Sequence, residues 1–193
     1  MQTSLGITND ERERVAELYW LAFGDMLHRV LGPEARARRF IAASLSLDCA
    51  ICARNRRGEI VGVAGFHSAK GALVSFSFRS LVVSFGTLGA LWRWSALSHL
   101  DRQPHPTDFV VEGICVDPAQ RGQGIGGNLL EALAREALRQ GCEAMSLRVV
   151  DGNEAARSLY ENHGFEPVSQ HKVGALRWLF GFDGMSTMVR QLR

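Results

Sequence analysis

A dominant charge sign, long apolar runs and paired cysteines are all scarce in this sequence. Lys and Arg number 22 against 20 Asp and Glu, a formal net charge of +2. So small an excess, with no long arginine-lysine block, gives no electrostatic footprint for nucleic acid. The nearest approach is Arg36, Arg38 and Arg39, which read as the solvated face of one helix. Asp10, Glu11, Arg12 and Glu13 stand where a basic-then-apolar leader would be, so a cytoplasmic location is expected. The most apolar stretch fails as a membrane span. Arg79 and Arg93 bracket only 13 uncharged residues, short of the ~18–20 a span needs. Placing Arg79 in mid-bilayer costs roughly 2.5–3.5 kcal/mol. The four cysteines, Cys49, Cys52, Cys115 and Cys142, are scattered. Cys49 and Cys52 form a C-x-x-C with no second pair or nearby histidine to complete a zinc site, and on a strand they point to opposite faces. Reduced thiols fit better than a disulfide framework, and no metal is expected. There is no internal repeat and no low-complexity tract.

The chain has 193 residues, 46% hydrophobic and 22% charged. That suits a single domain over 1–193 with a real core. Ser4 to Thr8 reads as a short strand. Asn9 or Asp10 is placed to cap a helix with Val15, Leu18, Tyr19 and Ala22 on one face. Pro33 suits the first turn of a second helix that carries Ala37, Phe40, Ile41 and Ser44 on one side. Cys49 to Arg54 and Ile60 to Phe66 are strand-like, with a hairpin turn at Asn55-Arg56-Arg57-Gly58. The segment 68–108 is a largely apolar insertion. Val74, Phe76 and Phe78 alternate as in a strand, whereas Leu81, Phe85, Leu88 and Trp92 recur at helical spacing. A strand from Phe109 to Val116 follows, then a helix from Asn128, a strand from Ala144 to Val150 and a helix from Asn153. Phe165 to Val168 and Met185 to Gln191 read as the last strands. This order implies an α/β (α+β) fold.

Arg121-Gly122-Gln123-Gly124-Ile125-Gly126 joins the strand that ends at Val116 to the helix. Glycines there let backbone amides approach a ligand at a helix N-terminus, the setting of a phosphate cradle. A tight turn explains one or two of the four glycines between 122 and 127. The P-loop pattern fails, because Gly126 is followed by Gly127 and Asn128 rather than Lys and Ser or Thr. Gly122, Gly124 and Gly127 satisfy G-x-G-x-x-G literally, with Asp151 ending the next strand. However, Asp117 to Arg121 separate the strand from the first glycine, and only about 65 residues follow, against the layout of a doubly wound domain.

The residues on both sides narrow the choice. Val116-x-Pro118-x-x-Arg121-Gly-x-Gly-x-Gly126 resembles the acetyl-CoA-binding motif of the GNAT N-acetyltransferase superfamily. Asn153-x-x-Ala156-x-x-x-Tyr160-x-x-x-Gly164-Phe165 resembles its second motif. The resemblance is sharp over 109–168, the expected acetyl-CoA-binding core. It implies a mixed, mostly antiparallel central sheet flanked by helices, with the insertion before the fourth strand. It further implies an enzyme that moves an acetyl group from acetyl-CoA to a primary amine by direct attack. A small-molecule amine or a peptide amine is the implied acceptor, and a non-catalytic acyl-CoA-binding module is the alternative.

By resemblance, amides of Arg121, Gly122, Gln123, Gly124, Ile125 and Gly126 hold the pyrophosphate. Backbone groups of Ile114, Cys115 and Val116 take the pantetheine arm, and Asn153 contacts the cofactor. Asn153 equally suits the N-cap of its helix. Glu112 is the candidate base, expected to share a face with Ile114 and Val116; a salt-bridged rim position is the other reading. Tyr160 is the candidate acid for the departing thiolate, against a purely packed core tyrosine. His67 lines the acceptor pocket, serves as a second base or is structural. Cys115 invites an acyl-enzyme reading, but no base that activates its thiol is evident. Aromatic residues of the insertion, with Trp178, Phe180 and Phe182, either wall the acceptor site or bury themselves in a homodimer interface.

Overall fold

The computed structural model describes residues 1–67, 71–98, 108–174 and 177–192. Seven strands form one sheet in the order β1-β2-β3-β4-β5-β7-β6. They are β1 (Gln2–Leu5), β2 (Ala50–Arg54), β3 (Ile60–Phe66), β4 (Asp108–Val116), β5 (Ala144–Val150), β6 (Glu166–Lys172) and β7 (Gly184–Gln191). Every neighbouring pair is antiparallel except β4 and β5. The helices are α1 (Arg12–Leu31), α2 (Glu34–Ser44), α3 (Phe78–Ser98), α4 (Ile125–Arg139), α5 (Glu154–Glu161) and α6 (Arg177–Phe180). One core lies between the sheet and α1, α2, α3 and α6. A second lies on the other face under α4 and α5.

Local chemistry explains most boundaries. A short 3-10 turn, Asn9–Glu11, leads into α1. The Glu11 carboxylate accepts the Thr8 N–H at 2.9 Å, so Thr8 rather than Asn9 or Asp10 marks the start. The first helix ends at Gly32, whose φ of 78° stops the right-handed path. Val15, Leu18 and Tyr19 are buried as expected. Ala22 is exposed, and Phe23 takes the inward position and packs on Tyr19 with ring centroids 4.7 Å apart. In α2, all four expected residues, Ala37, Phe40, Ile41 and Ser44, are buried. The β2–β3 hairpin turns where the sequence asks, with Asn55 Oδ1 accepting the amides of Arg57 and Glu59.

The insertion departs from expectation. Val74 makes only an isolated bridge to Leu45, and Phe78 already belongs to α3. No strand forms there because Phe76 is drawn onto Phe40 of α2, 5.5 Å between stacked rings. Helix α3 is broken at Gly86 (φ 72°, ψ 170°). Leu81 is buried and Phe85 packs edge-on to Phe40. Beyond the break the register rotates, leaving Leu88 85% and Trp92 42% exposed. The buried positions there are Ala90, Ala96 and Leu97. Among the described residues, no helix is long and apolar enough to cross a membrane. His99 and the residues up to 107 lie outside the described part of the insertion.

Candidate active site

The site begins where the one parallel strand pair comes apart. β4 and β5 pair only from Asp108–Ala144 to Val110–Ser146. β4 then runs on to Val116 and β5 to Val150 without pairing to each other, leaving a wedge between them. On its other edge β4 stays paired with β3 as far as Val116–Gly62. Just beyond that pair, the Asp117 N–H bonds the Val61 C=O at 2.9 Å. Antiparallel alternation then turns the main-chain groups of Gly113 and Cys115 toward β3 and those of Ile114 and Val116 into the wedge. This corrects one expectation. Of the three residues assigned to the pantetheine arm, Ile114 and Val116 face the opening and Cys115 does not.

A register shift between Gly65 and Phe66 places a bulge in β4 at Glu112. Phe109 and Val111 belong to the core under α4, and Ile114 and Val116 pack against that same core. Glu112 and Gly113 both face α1 instead, because a bulge sets two consecutive residues on one side. A Cβ on Gly113 would stand 2.6 Å from Phe23 Cζ. The Glu112 carboxylate receives the Leu73 N–H at 2.7 Å and the Val74 N–H at 3.2 Å. The expected common face of Glu112 with Ile114 and Val116 is therefore overturned, since simple alternation ignores the extra residue. Tyr19 of α1, which sequence reasoning placed only in the core, is buried in this neighbourhood. Burial first, then the nearby charges of Glu112 and Cys115, push its phenol well above the usual range.

The glycine loop follows. Asp117 caps the turn Pro118–Gln120 by accepting the Ala119 N–H at 2.9 Å, and its other oxygen binds Arg14 of α1. The Arg14 guanidinium holds the Asp117 carboxyl below the usual carboxylate range. Gly122 (φ 78°) and Gly124 (φ 73°) take the left-handed conformation that favours glycine. A side chain on either would meet no atom within 4 Å, so their surface faces open space. Gly126 and Gly127 have a different reason. A Cβ there would stand 2.9 Å from Leu159 Cδ2 and 2.6 Å from His163 Nε2, so they let α4 press against α5 and the turn after it. Folding alone thus accounts for all four glycines, two more than the turn argument allowed. The first bond of α4 runs from the Asn128 N–H to the Gly124 C=O. The amides of Ile125, Gly126 and Gly127 precede it without helical partners, at the positive end of the helix dipole. Ile125 buries its side chain and offers only this amide. Gln123 is exposed, and Arg121 is exposed with its Nε donating to the Val116 C=O at 3.3 Å.

Across the wedge, Tyr160 projects from α5 into the core under α4, its ring 5.9 Å from Phe165. Burial, with a smaller contribution from Cys115, pushes its phenol up to about 12. It is therefore protonated at neutral pH. The Asn153 side chain caps α5 by accepting the Ala156 N–H at 3.1 Å. Cys115 is buried, and burial first, then Glu112, push its thiol up. Thiolate nucleophilicity is suppressed at such a position. His67 follows β3, its N–H bonded to the Val110 C=O at 2.9 Å. Phe180 is buried and Phe182 half-buried against the α1-side core, whereas Trp178 is 67% exposed. No group of three or more His, Cys, Asp or Glu side chains able to hold a metal ion occurs among the described residues.

These features agree with the comparisons. A family model described as "Acetyltransferase (GNAT) family" matches residues 12–165. A thialysine N-epsilon-acetyltransferase of Bos taurus is 38% identical over 78 residues, 40% of this chain and 44% of that protein. The N-alpha-acetyltransferase RimI of Mycobacterium tuberculosis is 40% identical over 80 residues, 42% of this chain and 48% of that protein. The matched segment thus spans less than half the length of these curated relatives. Among solved structures, a Salmonella typhimurium protein described as an acetyltransferase, solved with its cofactor acetyl-CoA, covers all of this chain with a TM-score of 0.57 at 20% identity. With the family model spanning most of its length, the chain belongs to the GNAT acetyltransferase family.

Proposed function

We propose that this protein transfers the acetyl group of acetyl-CoA to a primary amine by direct attack within a ternary complex. The observation that carries this reading is a conjunction at one strand end. Ile114 and Val116 turn main-chain groups into an open wedge, and the unpaired amides of Ile125, Gly126 and Gly127 stand just beyond it. The wedge suits the amide-bearing pantetheine arm, and the helix N-terminus suits a pyrophosphate. Bound acetyl-CoA supplies an activated thioester. Arg121, exposed beside the loop, adds positive charge for the phosphates, and Asn153 holds the start of α5 on the far side.

Two groups manage protons. An alkylammonium with pKa near ~10.4 must lose a proton before its nitrogen forms the new C–N bond. Glu112 takes that proton, directly or through water, from its place on the α1 face of the bulge. The amides of Leu73 and Val74 fix the carboxylate's orientation. Tyr160 gives its proton to the sulfur as the C–S bond breaks. Cys115 stays a packed, protonated thiol, so no acyl-enzyme forms on it.

The reading is tested by thiol release from acetyl-CoA across a panel of small amines and peptides with free N-termini. Turnover of at least one amine is expected. Tight coenzyme A binding with no turnover on any amine would instead favour an acyl-CoA-binding module. Turnover confined to the peptides would favour a peptide acceptor, the reading in line with the N-alpha-acetyltransferase relative. Glu112→Gln is expected to remove the acidic limb of the pH–rate profile; a retained limb excludes Glu112 as the titrating base.

A further inference from the structure

Helix α3 carries an apolar, cationic surface that acetyl transfer leaves unused. The rings of Phe78 and Trp94 meet edge-on, with centroids 6.2 Å apart. A straight helix would separate these two positions by roughly 24 Å. The break at Gly86 therefore folds α3 back into a two-limbed hairpin. Val83 and Leu88, one on each side of the break, are 82% and 85% exposed, and Leu91 is 63% exposed. After the break, Leu88, Leu91 and Trp92 recur at the spacing of one helix face, away from the buried Ala90 and Leu97. On the first limb, Arg79 and Val83 are both exposed and, four residues apart, share a face. Charge on the hairpin has one sign. The chain carries no Asp or Glu from Ile60 to Leu100. The Arg93 guanidinium carbon lies 4.3 Å from the ring centroids of Phe85 and Trp92. Its Nη1 donates to the Gly89 C=O at 3.0 Å, and its Nε is buried without a hydrogen-bond partner. Among the described residues, no carboxylate pairs with Arg79 or Arg93.

We propose that the α3 hairpin docks this protein on an anionic bilayer surface. Its exposed apolar side chains enter the headgroup boundary, Arg79 meets the headgroups, and Arg93 adds positive charge behind them. Clustered exposed apolar side chains mark a protein or membrane contact. Charge sign decides between the two. A two-fold pair built on this hairpin would set Arg79 and Arg93 against their own copies, with no acidic residue in the hairpin to offset them. An anionic leaflet offers negative charge to the cations and hydrocarbon to the apolar side chains. Tryptophan suits this boundary, since its ring is apolar and its one N–H reaches the headgroup layer. The hairpin lies on the membrane rather than crossing it, because its broken helix is not long and apolar enough to span one.

Flotation of the full chain with vesicles tests this, using phosphatidylserine–phosphatidylcholine mixtures beside phosphatidylcholine alone. Binding to the mixed vesicles is expected, weakened by salt and at least about fivefold weaker on the neutral vesicles, the share of one basic residue near an anionic surface. Leu88→Ser combined with Leu91→Ser lowers vesicle affinity at least about tenfold, because two exposed leucines lose their burial in lipid. Arg79→Gln lowers affinity for the mixed vesicles about fivefold. All three side chains face solvent, so Tm and coenzyme A affinity stay unchanged. If the double variant melts early, Arg79→Gln alone carries the test. No binding to mixed vesicles, equal binding to both vesicle types, or undiminished binding by the variants overturns the proposal. A wild-type dimer in lipid-free sedimentation that the double variant dissociates also overturns it, and assigns the face to a second copy. None of these measurements reads acetyl transfer, so their outcome is separate from that of the amine panel.

Discussion

Tyr160→Phe is expected to lower kcat by roughly 10²-fold or more, the usual weight of a positioned general acid. The dissociation constant for coenzyme A should stay nearly unchanged. The substitution removes one hydroxyl and keeps the ring, so the packing on Phe165 survives. Burial holds the phenol up to about 12, so it carries its proton throughout the neutral range. Single-turnover rates with saturating amine, beside calorimetric titration of coenzyme A, separate chemistry from binding. A variant with the wild-type rate removes Tyr160 from the acid role and leaves it a core tyrosine.

Gly126→Val is the second large effect. Even the Cβ stands 2.9 Å from Leu159 Cδ2, and a branched side chain must drive α5 outward. Overpacking of this kind costs about 1–3 kcal/mol, or a fall of roughly 2–12 °C in Tm for a chain of this size. Leu159 precedes Tyr160, so the shift displaces the candidate acid. It also disturbs the amides at the start of α4, so coenzyme A affinity and kcat fall together. Thermal melts and coenzyme A titration check this. A variant with wild-type Tm and affinity would show that α4 and α5 do not need their close approach.

The residues that a periodic pattern fixes were legible. The four inward residues of α2 obey 3.6-residue spacing, and each is buried. The hairpin at Asn55 to Gly58 follows from local turn chemistry, where Asn55 accepts backbone amides within its own turn. The loop and second motif were legible because left-handed glycines and a helix-capping asparagine are local requirements. Where a non-local neighbour decides, the pattern misleads. Phe76 alternates like a strand residue but is captured by Phe40 of α2. Leu88 and Trp92 continue the spacing of Leu81, yet Gly86 turns them to solvent. Glu112 changes face because β3 and β4 differ by one residue in their pairing, and single-strand alternation carries no trace of the partner.

By itself the sequence determined the local frame: a strand, a glycine loop and a helix start at Gly122 to Gly127, with the cap at Asn153 downstream. These are short-range features, set by φ angles, caps and helix dipoles within a few residues. Tertiary structure alone decided how the strands around the wedge are arranged. The parting of β4 and β5 after Val110–Ser146 and the bulge at Glu112 depend on the register of three strands distant in the chain. Register is set by what each strand buries against its neighbours, so no one segment encodes it.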